Sequence, residues 1–253
     1  TLYLFTQSDV KTILIPTVLF GTMAAPGEAK YLIVVRTIWV WCNLLQVDVA
    51  NQSLHPQEDR INKPWRPIPD GRIQQTHARA LRWFLLPACL AISFLFQVPV
   101  AGAMLTIANL CYHELGFDSR WFTKNLCNAV GYICFNAGAS SVMLFPLRTD
   151  FIYAQLVTAV LIFTTIHAQD FQDVEGDRAS GRVSLPIAYP SGSRASMMVL
   201  LPGWSTFVCL FWELQPVPSA TLVLFGACIG GMFYMNTAQQ RARDKLAYRA
   251  YNV

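Results

Sequence analysis

Asp170, Asp173 and Asp177 stand three and four residues apart in the run Asp170-Phe171-Gln172-Asp173-Val174-Glu175-Gly176-Asp177-Arg178. On a helix those spacings stack side chains on one face. Three unpaired carboxylates beside an apolar stretch repel one another, and a divalent cation relieves the repulsion. Mg2+ suits them best, because it is a hard ion that combines carboxylates with phosphate oxygens. The competing reading is a solvated acidic helix end. Glu175 falls off this face and is expected in solvent or against an arginine.

A second polar segment lies upstream. Asp48, Asn51, Gln52, His55 and Asp59 keep helical spacing until Pro56 interrupts it. They are expected to face one cavity, with Asn51 and Gln52 against substrate. Three carboxylates follow, Glu58, Asp59 and Asp70. Asp70 sits in the turn signature Pro69-Asp70-Gly71, which gives it a local role. Glu58 and Asp59 are therefore the metal candidates here, with pairing to Arg60 as the plain alternative. Asp48 lies deeper, inside an apolar run, where an ionisable group points to function.

Lys63, Arg66, Lys124 and Arg178 are expected on the same side of the membrane as the two acidic segments, near them. Mg2+ with such cations can hold a diphosphate and stabilise it as a leaving group. Asp59, Asp170, Asp173 and Asp177 are the expected catalytic carboxylates. Glu58 joins these four in the expected metal set. Trp39, Trp41, Tyr132, Phe135 and Phe171 could offer ring faces to a carbocation. For each one taken alone, ordinary packing or lipid contact is the better explanation.

These residues need elements to position them. The chain has 253 residues, of which 54% are hydrophobic and only 13% charged. A soluble domain carries about 25% charged residues, so the composition points to a bilayer. Apolar runs at about 9–25, 31–51, 76–95, 97–113, 123–145, 151–170, 194–212 and 218–238 each approach the length of a span. The reading is all-α: one integral membrane domain over residues 1–253, with eight transmembrane helices, or nine if one run is misjudged, around a central cavity. Gln97-Val98-Pro99 marks a tight helical hairpin.

The basic residues sort by side. Lys11, Arg60, Lys63, Arg66, Arg72, Arg120, Lys124, Arg178, Arg182, Arg194, Arg241, Arg243, Lys245 and Arg249 fall on one side, and little beyond Lys30 and Arg148 falls on the other. By the positive-inside rule, both termini and both acidic loops are cytoplasmic. The seven cysteines lie mostly in apolar runs without a CxxC pair, and read as small apolar side chains. No basic stretch carries interleaved stacking aromatics, which sets nucleic acid aside as a partner. Asp9 and Lys11 precede the first apolar run, so no cleavable leader is expected. The two acidic loops stand four helices apart, a hint of a duplicated unit without close residue matching.

The two acidic segments resemble those of the UbiA superfamily of membrane prenyltransferases. That family carries NDxxDxxxD after its second helix and DxxDxxxD after its sixth. Asp170, Asp173 and Asp177 match the second pattern in full, with Gly176-Asp177-Arg178 and Ser184-Leu185-Pro186 in similar context. The first pattern aligns as Asn51, Gln52, His55 and Asp59, so two of its aspartates are replaced. Asn62-Lys63-Pro64-Trp65-Arg66-Pro67 resembles the continuation. The resemblance covers nearly the whole chain. It implies a ring of antiparallel helices and Mg2+-assisted ionisation of an isoprenoid diphosphate.

Asn51-Gln52, Glu58-Asp59 and the stretch from Asn62 to Pro69 look like a fungal branch containing UbiA-type terpene cyclases. That branch implies cyclisation of farnesyl diphosphate to a sesquiterpene, in the endoplasmic reticulum membrane. Prenyl transfer to an aromatic acceptor is the close alternative. A membrane transporter is the reading from another class, although its sites are expected at broken helices near the midplane.

Overall fold

The computed structural model describes residues 1–25, 29–144, 149–237 and 239–252. Arg148 and the far ends of the runs at 123–145 and 218–238 lie outside the described residues. Among the described residues every regular element is a helix, apart from one isolated bridge between Arg120 and Val183.

The helices in order are α1 (Leu2–Thr6), α2 (Ile15–Ala24), α3 (Tyr31–Leu54), α4 (Pro56–Asn62), α5 (Gln75–Leu95) and α6 (Pro99–Glu114). They continue with α7 (Trp121–Ser141), α8 (Thr149–Thr165), α9 (Val174–Ala179), α10 (Leu185–Ala188), α11 (Pro190–Phe211), α12 (Pro216–Met235) and α13 (Arg241–Tyr251). A π-helical turn over Val10–Leu14 leads into α2, and a 3-10 stretch over Ile166–Gln172 extends α8.

Among the described residues, each of the eight expected runs is helical over most of its length. Five segments among the described residues are long and apolar enough to cross a membrane: α3, α5, Thr149–Gln172, α11 and α12. The other three differ for identifiable reasons. Val10–Ala24 and the 16-residue α6 are short. The 21-residue α7 is long enough, but Lys124, Asn125, Asn128 and Asn136 lower its apolarity. Lys124, Asn128 and Asn136 face the interior cavity, where a polar helix face is tolerated.

Local sequence explains the breaks. Pro56 starts α4 and His55 caps α3 with non-helical backbone, so the first acidic segment bends there. Gln97 takes φ 62° in the hairpin between α5 and α6, and Pro99 opens α6. Packing follows small residues. A Cβ on Gly138 of α7 would lie 2.0 Å from the Trp39 ring of α3, so only glycine fits. The Trp39 indole donates to Ser93 of α5 at 2.9 Å, tying three helices at a fully buried point. All seven cysteines are unpaired, as the sequence suggests.

One buried arginine fixes the C-terminal part. Arg194 of α11 donates through both terminal nitrogens to Asp244 of α13 at 2.9 Å each, and Asn236 adds a third bond at 3.0 Å. The Arg194 guanidinium lies 4.6 Å from the Phe171 ring centroid. Thus Arg194, grouped with the topology-setting charges on sequence grounds, is a structural pin between α11 and α13.

Candidate active site

A cavity of about 710 Å3 opens among α2, α3, α6, α7, α8, α11, α12 and α13. Asp170, Asp173 and Asp177 all line it. They do not ride one continuous helix as the spacing suggests. Asp170 belongs to the 3-10 stretch, Asp173 is the junction residue with φ −106° and ψ 2°, and Asp177 lies in α9. The change of helix type keeps all three carboxylates on the same cavity.

Glu58, Asn51, Lys63, Arg66 and Lys124 line the same space. Lys124 donates to Asp170 at 2.6 Å, with both side chains buried. Lys63 lies 3.7 Å from Asp173. Asp59 does not line the cavity; it accepts from Arg66 at 2.7 Å and so aims that guanidinium. Burial disfavours the charged Arg66, but Asp59 and the neighbouring carboxylates hold its pKa above the ordinary arginine value. Gln52 is fully buried in the wall and donates to the Phe5 carbonyl at 2.8 Å, rather than facing substrate. Arg178 is exposed and outside the cavity. Glu175 is also exposed and meets Arg241 at 3.5 Å, in keeping with its place on the helical wheel.

Among the aromatics, Tyr132 and Phe135 line the cavity. Trp39 and Phe171 lie in the packed core, and Trp41 donates to Thr6 at 3.2 Å. Asp70 pairs with Arg72 at 2.5 Å in its turn.

Sequence reasoning missed several lining residues. Arg182 donates to Glu58 at 2.6 Å and to Asp118 at 2.8 Å, deep in the same site. Burial disfavours its charge, but Tyr112, Glu58 and Asp118 hold its pKa well above the ordinary range. Burial pushes Glu58 up, while Arg182 opposes that shift. Asp9, Tyr112, Tyr248, Tyr251 and Asn252 also line the cavity. No local signal marks them, because each comes from a distant segment.

The two acidic segments are held together by one network. Asn62, after the first segment, donates to the Asp173 carbonyl at 3.2 Å. Arg241 of α13 donates to Asn62 at 2.8 Å and to the Gln172 carbonyl at 3.0 Å. A Cβ on Gly176 would lie 2.2 Å from the Asn62 amide nitrogen. Gly176 therefore permits the close approach of α4 and α9. Gly176→Val is expected to separate them and lower kcat/KM for diphosphate release by about 10²-fold, since small misplacements of reacting groups carry such costs. Steady-state kinetics on equally folded protein would check this, and wild-type kinetics would rule it out.

The donor set fits a divalent cation. Asp170 and Asp177 each keep one buried carboxylate oxygen without a hydrogen-bond partner. Such orphaned acceptors are costly unless a cation or water meets them.

A model of the UbiA prenyltransferase family matches residues 13–253. The chain is 29% identical over 240 residues to fumagillin β-trans-bergamotene synthase of Aspergillus fumigatus, covering 91% of this chain and 81% of that protein. It is also 29% identical over 246 residues to a polyprenyl transferase of Hericium erinaceus, covering 92% and 77%. The fold superposes on a UbiA homologue from Archaeoglobus fulgidus, solved bound to DMAPP and Mg2+, with TM-score 0.75 and 15% identity over 99% of this chain and 96% of that one.

Proposed function

The chain belongs to the UbiA prenyltransferase family, and from that premise we propose that it is a membrane terpene cyclase acting on farnesyl diphosphate. One observation carries the reading: a single cavity joins a charged mouth to an apolar chamber. The mouth holds Asp170, Asp173, Asp177, Glu58, Lys63, Arg66, Lys124 and Arg182. The chamber is walled by Phe20, Phe135, Leu161, Val208, Phe225 and Ile229. Lys124 and Phe135 are both on α7, and the helical rise puts about 16 Å between them along its axis. That span suits a diphosphate at one end and an isoprenoid chain at the other.

Asp170, Asp173 and Asp177, with Glu58, would hold Mg2+. When bound, the ion supplies charge screening that stabilises the departing diphosphate. Lys63, Arg66, Lys124 and Arg182 orient the diphosphate oxygens. The apolar walls exclude water, and Tyr132 and Phe135 present ring faces to developing positive charge. Asp59 acts through Arg66, and Asn51 offers a polar contact at the mouth.

Support for cyclisation comes from the relative that makes bergamotene and from the form of the first acidic segment. The similar polyprenyl transferase keeps prenyl transfer as the second reading, for which we take an aromatic acceptor from the family resemblance. The same reading treats residues 1–253 as one domain crossing the bilayer eight times. The shorter α2 region, α6 and α7 complete the count, and the acidic loops and termini face the cytoplasm, in the endoplasmic reticulum.

Purified protein given farnesyl diphosphate and Mg2+, with no acceptor, is expected to release diphosphate and cyclic hydrocarbons detectable by gas chromatography. Turnover that starts only when an aromatic acceptor is added would replace cyclisation with prenyl transfer.

A further inference from the structure

Beside the acidic array, a second set of metal-ligating side chains converges where α3 and α6 end. His55 Nε2 lies 2.9 Å from Asp118 Oδ2. The His55 and His113 ring centroids are 6.1 Å apart. One ligand atom from each of His55, His113 and Asp118 falls within 4.8 Å of the other two. Both ring nitrogens of His113 are buried and have no hydrogen-bond partner. An imidazole left this way is costly, and a ligand is one resolution of it.

We propose that His55, His113 and Asp118 form a binding site for a borderline divalent cation of the Zn2+ class, separate from the acidic array. Two imidazoles and a carboxylate select such ions, whereas Mg2+ favours oxygen donors. Three protein ligands leave a fourth position open. His113 lines the cavity and the His55 side chain is 27% exposed, so an ion has a way in. The cation takes the place of the hydrogen bond between His55 and Asp118, with His55 carrying its proton on Nδ1. Arg182 keeps its bond to Asp118 at 2.8 Å, the outer support that a ligating carboxylate requires. None of Asp170, Asp173 and Asp177 belongs to this group, and Asp59 is held by Arg66.

The test uses the full chain in detergent, stripped by a chelator and titrated calorimetrically with Zn2+ in excess Mg2+. One Zn2+ per chain is expected, undisplaced by Mg2+, and Co2+ in its place should give a visible absorption band. His113→Gln and His55→Gln should each weaken binding by about tenfold or more. His113 gives up no hydrogen bond on replacement, so that variant is expected to fold, with size-exclusion chromatography as the check. Asp173→Asn should bind Zn2+ as wild type does. The paired replacement Cys111→Ser and Cys127→Ser should do so too. If the histidine variants do not fold, X-ray absorption at the zinc edge of the wild type reads imidazole ligation directly. The proposal is overturned by a wild type that binds no Zn2+, by displacement with Mg2+, by histidine variants of unchanged affinity, by loss of binding in the cysteine variant, or by an edge spectrum without imidazole.

Discussion

Asp173→Ala is expected to lower diphosphate release from an isoprenoid diphosphate by about 10³-fold while leaving the protein folded, the scale of losing a transition-state charge stabiliser. The structure makes this a clean substitution. The Asp173 side chain lines the cavity and makes no capping bond at the start of α9. Its bond with Asn62 runs through the backbone carbonyl, which alanine keeps. Its cation contact, Lys63 at 3.7 Å, is loose and partly exposed. Asp170→Ala is a poorer probe, because it would strand the buried Lys124 and mix stability with catalysis. Diphosphate-release kinetics at saturating Mg2+ decide the matter, and a variant within a few-fold of wild type would remove Asp173 from the metal set.

The second large effect concerns stability. Asp244→Ala should cost about 3–5 kcal/mol, because it leaves the Arg194 charge buried without its carboxylate. Asp244 is fully buried and accepts two bonds from Arg194 and one from Asn236. What remains to Arg194 is the Phe233 carbonyl at 2.9 Å and the Phe171 ring. Thermal unfolding in detergent should show a clear fall in midpoint. The double variant Arg194→Met with Asp244→Leu should recover most of it, since apolar replacement removes both charges together. A single variant as stable as wild type would show that α13 is held by its apolar contacts alone.

Much of this molecule is legible locally. Apolar runs place the helices, Pro56 and Pro99 place two breaks, and the spacing of Asp170, Asp173 and Asp177 brings three carboxylates to one cavity. What escapes is pairing across distance. Arg182 and Arg194 look like topology charges, because their partners Asp118 and Asp244 stand 64 and 50 residues away. Gln52 sits in a motif position that suggests substrate, yet its partner is a carbonyl 47 residues upstream. Asp59 has the right type and spacing for a metal ligand, but Arg66 claims it after a turn that the pattern does not encode. The tail after α12 reads as a basic cytoplasmic segment. Only the folded helix shows that Asp244 and Ala247 turn into the core, with Tyr248 and Tyr251 on the cavity.

Arg241 joins three stretches that the chain keeps far apart, through Asn62, the Ile61 carbonyl and the Gln172 carbonyl. Local opening in such a network is shared rather than independent. The two acidic segments and the C-terminal helix are therefore expected to open as one unit, with hydrogen exchange of their amides as the measurement that checks it.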